Sequence, residues 1–328
     1  MDFMRPFTFN GVTFLIGAVS LAPVILVFEG KRPKGDGRRA PVDFRGYADA
    51  EARKTKGDKT KGDGSCVLQD KRGRFLRLTR QKGTVPVSCG TEGDGSGRRE
   101  ERRRLWKYGL VCGLILFGAS NFQQFGVELT GSAGKSGFIT GLYIIIVPIA
   151  GIFLKQRAGA LTWVGACFAF VGMYFLCVQE GFGSLMPGDW LLFTGAFFWA
   201  AHIIAIDKFA PHVSSLRLSQ AQFIISGGLS MAFAFATETI VPASLLMAAV
   251  PLLYRGVGSI GIAYTLQIIG QRHVAPARAS VIFSLESVFS VVGGAILIHE
   301  VMTGRAYLGC ALIFVGIILS QIRPAQRH

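Results

Sequence analysis

One carboxylate stands apart from every other charge in this sequence. Glu286 lies ten residues into an apolar run, with thirteen residues following to His299. An acid at that depth of a membrane-spanning helix is costly and marks a functional group by default. It can hold a proton while its surroundings are dry, and release it or take up an ammonium group when water enters. At the angular step of an α-helix, Ser280, Ser284, Ser287, Ser290, Gly293 and Gly294 share its face, so a small, polar stripe surrounds the acid. Two further polar faces have helical spacing. Asn121, Gln124 and Glu128 follow i, i+3, i+7 in one apolar run, with Gln123 beside them, and Tyr264, Gln267 and Gln271 repeat the pattern in another. Amides and a phenol can hydrogen-bond a polar solute without fixed charge. Trp199 and His202, three apart, could wall or gate a cavity. The candidate substrate-binding or coupling set is thus Glu286, Asn121, Gln123, Gln124, Gln267, Tyr264, Trp199, His202 and Ser290. The same side chains could instead tie helices together by hydrogen bonds, and the sequence leaves that alternative open. No residue is assigned a catalytic or metal-binding role.

The elements that must position these residues are apolar helices. The chain of 328 residues is 50% hydrophobic and 17% charged, with 42 glycines, 26 phenylalanines and a mean hydropathy of +0.43. Soluble domains carry about 25% charge, so the composition reads as an all-α integral membrane protein and disfavours disordered, collagen-like and disulfide-stapled classes. Nine spans can be drawn: Pro6–Phe28, Tyr108–Leu129, Ser136–Leu154, Ala158–Val178, Asp189–Ile206, Leu218–Thr237, Leu253–His273, Ala277–His299 and Ala306–Ile322. Pro242 and Pro251 bracket the short apolar stretch 240–250, read as interfacial. Most of the charges between 108 and 322 fall at or near span ends, within reach of water.

Charge divides the chain into two materials. Residues 29–107 hold 23 Lys/Arg and 12 Asp/Glu, a net of +11, against +4 for all the rest. Rich in Gly, Lys, Arg and Asp, this segment buries too little apolar area to offset its ordering entropy and is expected to be a disordered loop. Because apolar spans flank it on both sides, a solvated cytoplasmic loop beside anionic lipid is favoured over a nucleic-acid-binding arm. Lys155, Arg157, Lys208, Arg217, Arg272, Arg278, Arg323 and Arg327 fall in the loops on its side, whereas the alternate loops hold Lys135 and Arg305. The positive-inside rule therefore places 29–107 and the C-terminus in the cytoplasm.

The chain also matches itself. At an offset of 144, Gln123 meets Gln267, Gly126 meets Gly270, Ser136 meets Ser280, Gly165 meets Gly309, and Phe170-Val171-Gly172 meets Phe314-Val315-Gly316. Gly17 and Ser20 meet Gly227 and Ser230 at an offset of 210. Four visible spans in the first repeat and five in the second give halves of opposite orientation, an architecture used by secondary transporters with a site between the halves.

The stretches SGFITGLYIIIVPIAGIF from Ser136, WVGACFAFVGMYFL from Trp163, YLGCALIFVGIIL from Tyr307, and ASVIFSLESVFSVVGGAILIHE from Ala279 resemble the EamA domain of the drug/metabolite transporter superfamily. RPFTFNGVTFLIGAVSLAPVIL, from Arg5, resembles the second helix of such proteins. The resemblance implies two inverted five-helix repeats, the first lacking its first helix here, with Glu286 standing at the glutamate of the ninth family helix. It divides the chain into 1–28 (first visible helix), 29–107 (basic loop, usually short in the family), 108–180 (rest of repeat one), 188–322 (repeat two) and 323–328 (tail). It implies a permease or exporter of small polar metabolites, such as amino acids or their derivatives, in the bacterial inner membrane. The partners expected are a small-molecule substrate, membrane lipid and a proton or other solute as coupling species, with no specific nucleic acid; a homodimer stays open. No cofactor is expected. With no HExxH, P-loop or GxSxG, enzyme readings are weak. The alternative from another class is an inactive truncated paralogue, or a scaffold whose basic loop binds lipid or a partner.

Overall fold

The computed structural model describes residues 5–29, 66–69, 75–78, 95–156, 158–178, 186–297 and 303–322. Within the basic segment, β1 (Cys66–Gln69) and β2 (Phe75–Leu78) pair antiparallel, with Cys66 opposite Leu78. The other described elements are helical. The expected disorder of the remainder of 29–107 lies outside the described residues.

The helices are α1 (Pro6–Glu29), α2 (Gly95–Thr130), α3 (Ala133–Thr140), α4 (Tyr143–Phe153), α5 (Ala160–Cys177), α6 (Pro187–Phe209), α7 (Ser215–Thr237), α8 (Pro242–Met247), α9 (Ala249–Leu253), α10 (Thr265–Gln271), α11 (Pro276–Phe283), α12 (Leu285–Leu297) and α13 (Gly304–Gln321). Eight stretches are long and apolar enough to cross a membrane: Pro6–Phe28, Arg99–Thr130, Gly134–Phe153, Ala160–Cys177, Pro187–His212, Ser215–Thr237, Ala249–Gln271 and Gly304–Gln321. The ninth expected span differs. It is two shorter helices, α11 and α12, which meet at Ser284, whose hydroxyl donates 2.6 Å to the Val281 carbonyl. The first helix break in the other half falls at Gly141–Leu142, where Met173 of α5 presses against the Cα of Gly141. Residues 298–299, the end of that expected span, lie outside the described residues.

A second difference concerns α2. It begins well upstream of Tyr108, so the end of the basic segment is helix, not loop. Arg and Glu are good helix formers, and Glu100 pairs with Arg104 one turn on.

Contacts between spans are made through small residues. On α5 and α13, Gly165 faces Gly316 and Gly172 faces Gly309; a Cβ at Gly172 would stand 2.7 Å from the Gly309 carbonyl oxygen, and one at Gly309 the same distance from that of Gly172. Since 165 and 309, and 172 and 316, differ by 144, the pairing is reciprocal. Glycine here removes the Cβ that would hold the backbones apart. The start of α1 is secured from elsewhere: the Glu238 carboxylate accepts from the N–H groups of Phe7 (2.9 Å) and Thr8 (2.8 Å) and from the Thr8 hydroxyl (2.7 Å). These N–H groups have no partner within the helix, and a carboxylate suits the positive end of its dipole.

Candidate functional site

Between α9 and α10 the backbone winds as a π-helix, Tyr254–Tyr264. Its i→i+5 bonds give about 4.4 residues per turn, so residues nine apart return to one face after two turns. In an α-helix nine residues make two and a half turns and face opposite ways. Arg255 and Tyr264 are nine apart, and the two lie near one another. π-Helical segments of any length are rare and concentrate at functional sites.

Arg255 is directed into the bundle. Its Nη1 donates 3.2 Å to Gln124 Oε1 on α2 and its Nη2 donates 3.1 Å to Asn10 Oδ1 on α1, while the guanidinium lies 4.6 Å from the centre of the Phe9 ring. Asn10 is fully buried and donates 3.1 Å to Asn121 Oδ1 and to the Ser120 carbonyl. Asn121 in turn donates to the Phe117 carbonyl (2.8 Å) and to Ser230 Oγ on α7 (3.0 Å). One polar chain therefore links α1, α2, α7 and the π-helix. It uses both amide hydrogens and the oxygen of Asn121 within the protein, so this candidate acts as a helix tie. Gln124 is joined to the same chain through Arg255.

A second group is aromatic. Trp199 Nε1 donates 2.9 Å to Gln123 Oε1. The Trp199 ring meets Tyr264 edge-on at 5.9 Å and His202 at 6.0 Å. His202 is buried; its Nε2 lies 3.1 Å from Gln222 Oε1, while its Nδ1 and the Gln222 amide nitrogen have no partner among the described residues. Gln267 lies one turn beyond Tyr264, half-buried, with no hydrogen bond to a described residue. The side chain of Ser290 lies outside the described residues.

Glu286, in the first turn of α12, is exposed although it is mid-span. The groups that feel its charge come from other elements: Arg255 and Tyr264 on the π-helix and Tyr143 on α4. This accessible carboxylate therefore lies on the side of α12 toward the π-helix and α4. It makes no hydrogen bond or ion pair with any described residue, Arg255 included. Contacts thus run from Gln123 and His202 through Trp199 to Tyr264, and Tyr264, Gln124 and Glu286 lie around Arg255, while Asn121 is engaged in bonds between helices. By contrast, the groove of about 550 Å³ that α1 forms with α9 and the π-helix, lined by residues such as Val12, Ile16, Val19, Ser20 and Val257, is almost wholly apolar. Among the described residues no group of three His, Cys, Asp or Glu could hold a metal ion.

The sequence reading missed Arg255 and Asn10. A 3.6-residue period puts Arg255 opposite Tyr264, and its place two residues into the expected span made it look like a water-facing end. A second correction concerns Lys135 and Asp189, expected to reach water at span ends. They are buried, 8% and 4% exposed, with Lys135 Nζ 2.6 Å from Asp189 Oδ2. Asp189 also accepts from the Met186 N–H (2.8 Å) and the Thr130 hydroxyl (3.3 Å), joining α2, α3 and α6.

Eight helices long and apolar enough to cross a membrane define a multi-pass α-helical membrane protein. Residues 186–321 match the model of the EamA-like transporter family. A protein of Archaeoglobus fulgidus named an uncharacterized transporter is 30% identical over 225 residues, 66% of this chain and 70% of its own length. The uncharacterized transporter YoaV of Bacillus subtilis is 20% identical over 232 residues, 69% of this chain and 79% of its own. A solved crystal structure, 18% identical, superposes with a TM-score of 0.64 over 97% of this chain and 89% of that one, and shares the fold. The chain belongs to the EamA-like transporter family, and it is a membrane transporter.

Proposed function

We propose that the chain is a secondary transporter, not an enzyme, that moves small polar metabolites such as amino acids or their derivatives across the cytoplasmic membrane of a bacterium, with the C-terminus and residues 29–107 on the cytoplasmic side. One observation carries this reading: Glu286 is accessible beside the junction of α11 and α12, the two helices of the ninth expected span, and no described residue pairs with it. Leaving a charge at the bilayer centre costs on the order of 2.5–3.5 kcal/mol on insertion scales, and a purely architectural acid would be expected to find a donor. An unpaired carboxyl can instead carry a proton in one state and meet a cationic group in another, which couples solute movement to a second species. The aromatic and amide groups beside it, Trp199, Tyr264, Gln123 and Gln267, suit a solute with both apolar and polar parts.

The test is flux in proteoliposomes holding the purified full chain, across a panel of amino acids and amino-acid derivatives with and without a pH gradient. Glu286→Gln keeps size and hydrogen bonding. It should abolish coupled flux while the protein remains folded and inserted. Flux by this variant at the wild-type rate, with unchanged pH dependence, refutes the role of Glu286. No flux for any member of the panel favours the scaffold or inactive-paralogue alternative.

A further inference from the structure

We propose that Arg255 is the anion-recognising group of the cavity, so that the solute carries a carboxylate held at Arg255 and an ammonium that faces Glu286. The proposal rests on the transport reading above and narrows its substrate class by charge.

Three observations support it. First, among the described residues Arg255 has only neutral partners, the Gln124 and Asn10 amide oxygens and the face of Phe9. A guanidinium has five N–H donors in a planar fork, and these two bonds leave part of the fork free. Second, the group does not reach back to the membrane surface as a long cationic side chain near a helix end commonly does. It is anchored inward, on a fully buried asparagine. Third, the opposite charge is present but separate: Glu286 lies within electrostatic range yet makes no ion pair with Arg255. Two opposite charges near each other but not paired form a site for a dipolar solute. A pair in contact would neutralise itself and recognise nothing. The π-helix is what makes this arrangement, since it turns Arg255 and Tyr264 to one side. The planar fork matches a carboxylate in two-point contact, which a lysine cannot reproduce.

The competing role is structural, with Arg255 serving only to link α1, α2 and the π-helix. Three probes of nearly equal shape separate the two roles: leucine (both charges), 4-methylpentanoate (anion only) and leucinamide (cation only). Binding to the purified full chain is measured by titration calorimetry for the wild type, Arg255→Gln and Arg255→Lys. The expected result is that Arg255→Gln weakens leucine and 4-methylpentanoate at least tenfold and leaves leucinamide within twofold. Arg255→Lys should recover only part of the loss. Retained leucinamide binding also shows that the glutamine variant is folded; if it is not, the lysine variant carries the same comparison. Weakening of all three probes alike, or of none, overturns the proposal, as does a wild-type protein that binds none of them. The transport reading fails separately, through absence of flux across the wider panel.

Discussion

Breaking the buried pair between Lys135 and Asp189 should cost far more than its count of one ion pair suggests. The two side chains are almost wholly removed from solvent, 2.6 Å apart, and they connect the start of α3 to the start of α6. Lys135→Met leaves the Asp189 carboxylate buried with only the Met186 N–H and the Thr130 hydroxyl as donors. Removing one partner of a buried pair costs about 3–5 kcal/mol, mostly because the other charge stays desolvated. An exposed pair such as Glu100–Arg104 is worth about 0–1 kcal/mol. At about 2 °C per kcal/mol for a chain of this size, the loss for Lys135→Met is about 6–10 °C in thermal unfolding of the detergent-purified protein. Adding Asp189→Asn removes the stranded charge. The asparagine oxygen can still accept from the Met186 N–H while its amide nitrogen donates to the Thr130 hydroxyl, so the double variant should recover most of the loss. The reasoning fails if Lys135→Met lowers the midpoint by less than about 2 °C, or if the double variant is no better than the single one.

The crossing of α5 and α13 should tolerate no side chain at its centre: Gly172→Val places atoms against the Gly309 carbonyl and Ile313, and overpacking of this kind costs about 1–3 kcal/mol or more. It should lower the yield of monodisperse protein, whereas the same change at Gly228, where a Cβ would meet nothing within 4 Å, should leave it intact. Orientation is checked by retaining Cys66 as the single cysteine and treating intact cells with a membrane-impermeant thiol reagent. The charge distribution predicts no labelling until the membrane is opened, and labelling from outside refutes it.

The apolar spans were legible because insertion free energy is close to a sum over local residues: length, composition and the lack of interior charge suffice. The isolation of Glu286, the polar face of Asn121 and Gln124, and the glycines at 165, 172, 309 and 316 could be read from periodicity in the same way. What these residues do could not. Asn121 and Gln124 share a face in sequence terms, yet one is consumed by Asn10 and Ser230 and the other meets Arg255, partners more than a hundred positions away. Lys135 and Asp189 look like ordinary span-end charges until packing brings them together and excludes water. The α-helical period itself gives way at Tyr254–Tyr264, where a change of winding moves Arg255 from the far side to the face of Tyr264. Transfer into the membrane is decided residue by residue, and so the sequence alone located eight of the nine expected segments. Pairing across spans and the winding of a single helix are settled by the sum of contacts with neighbouring helices, and only the tertiary structure decided them.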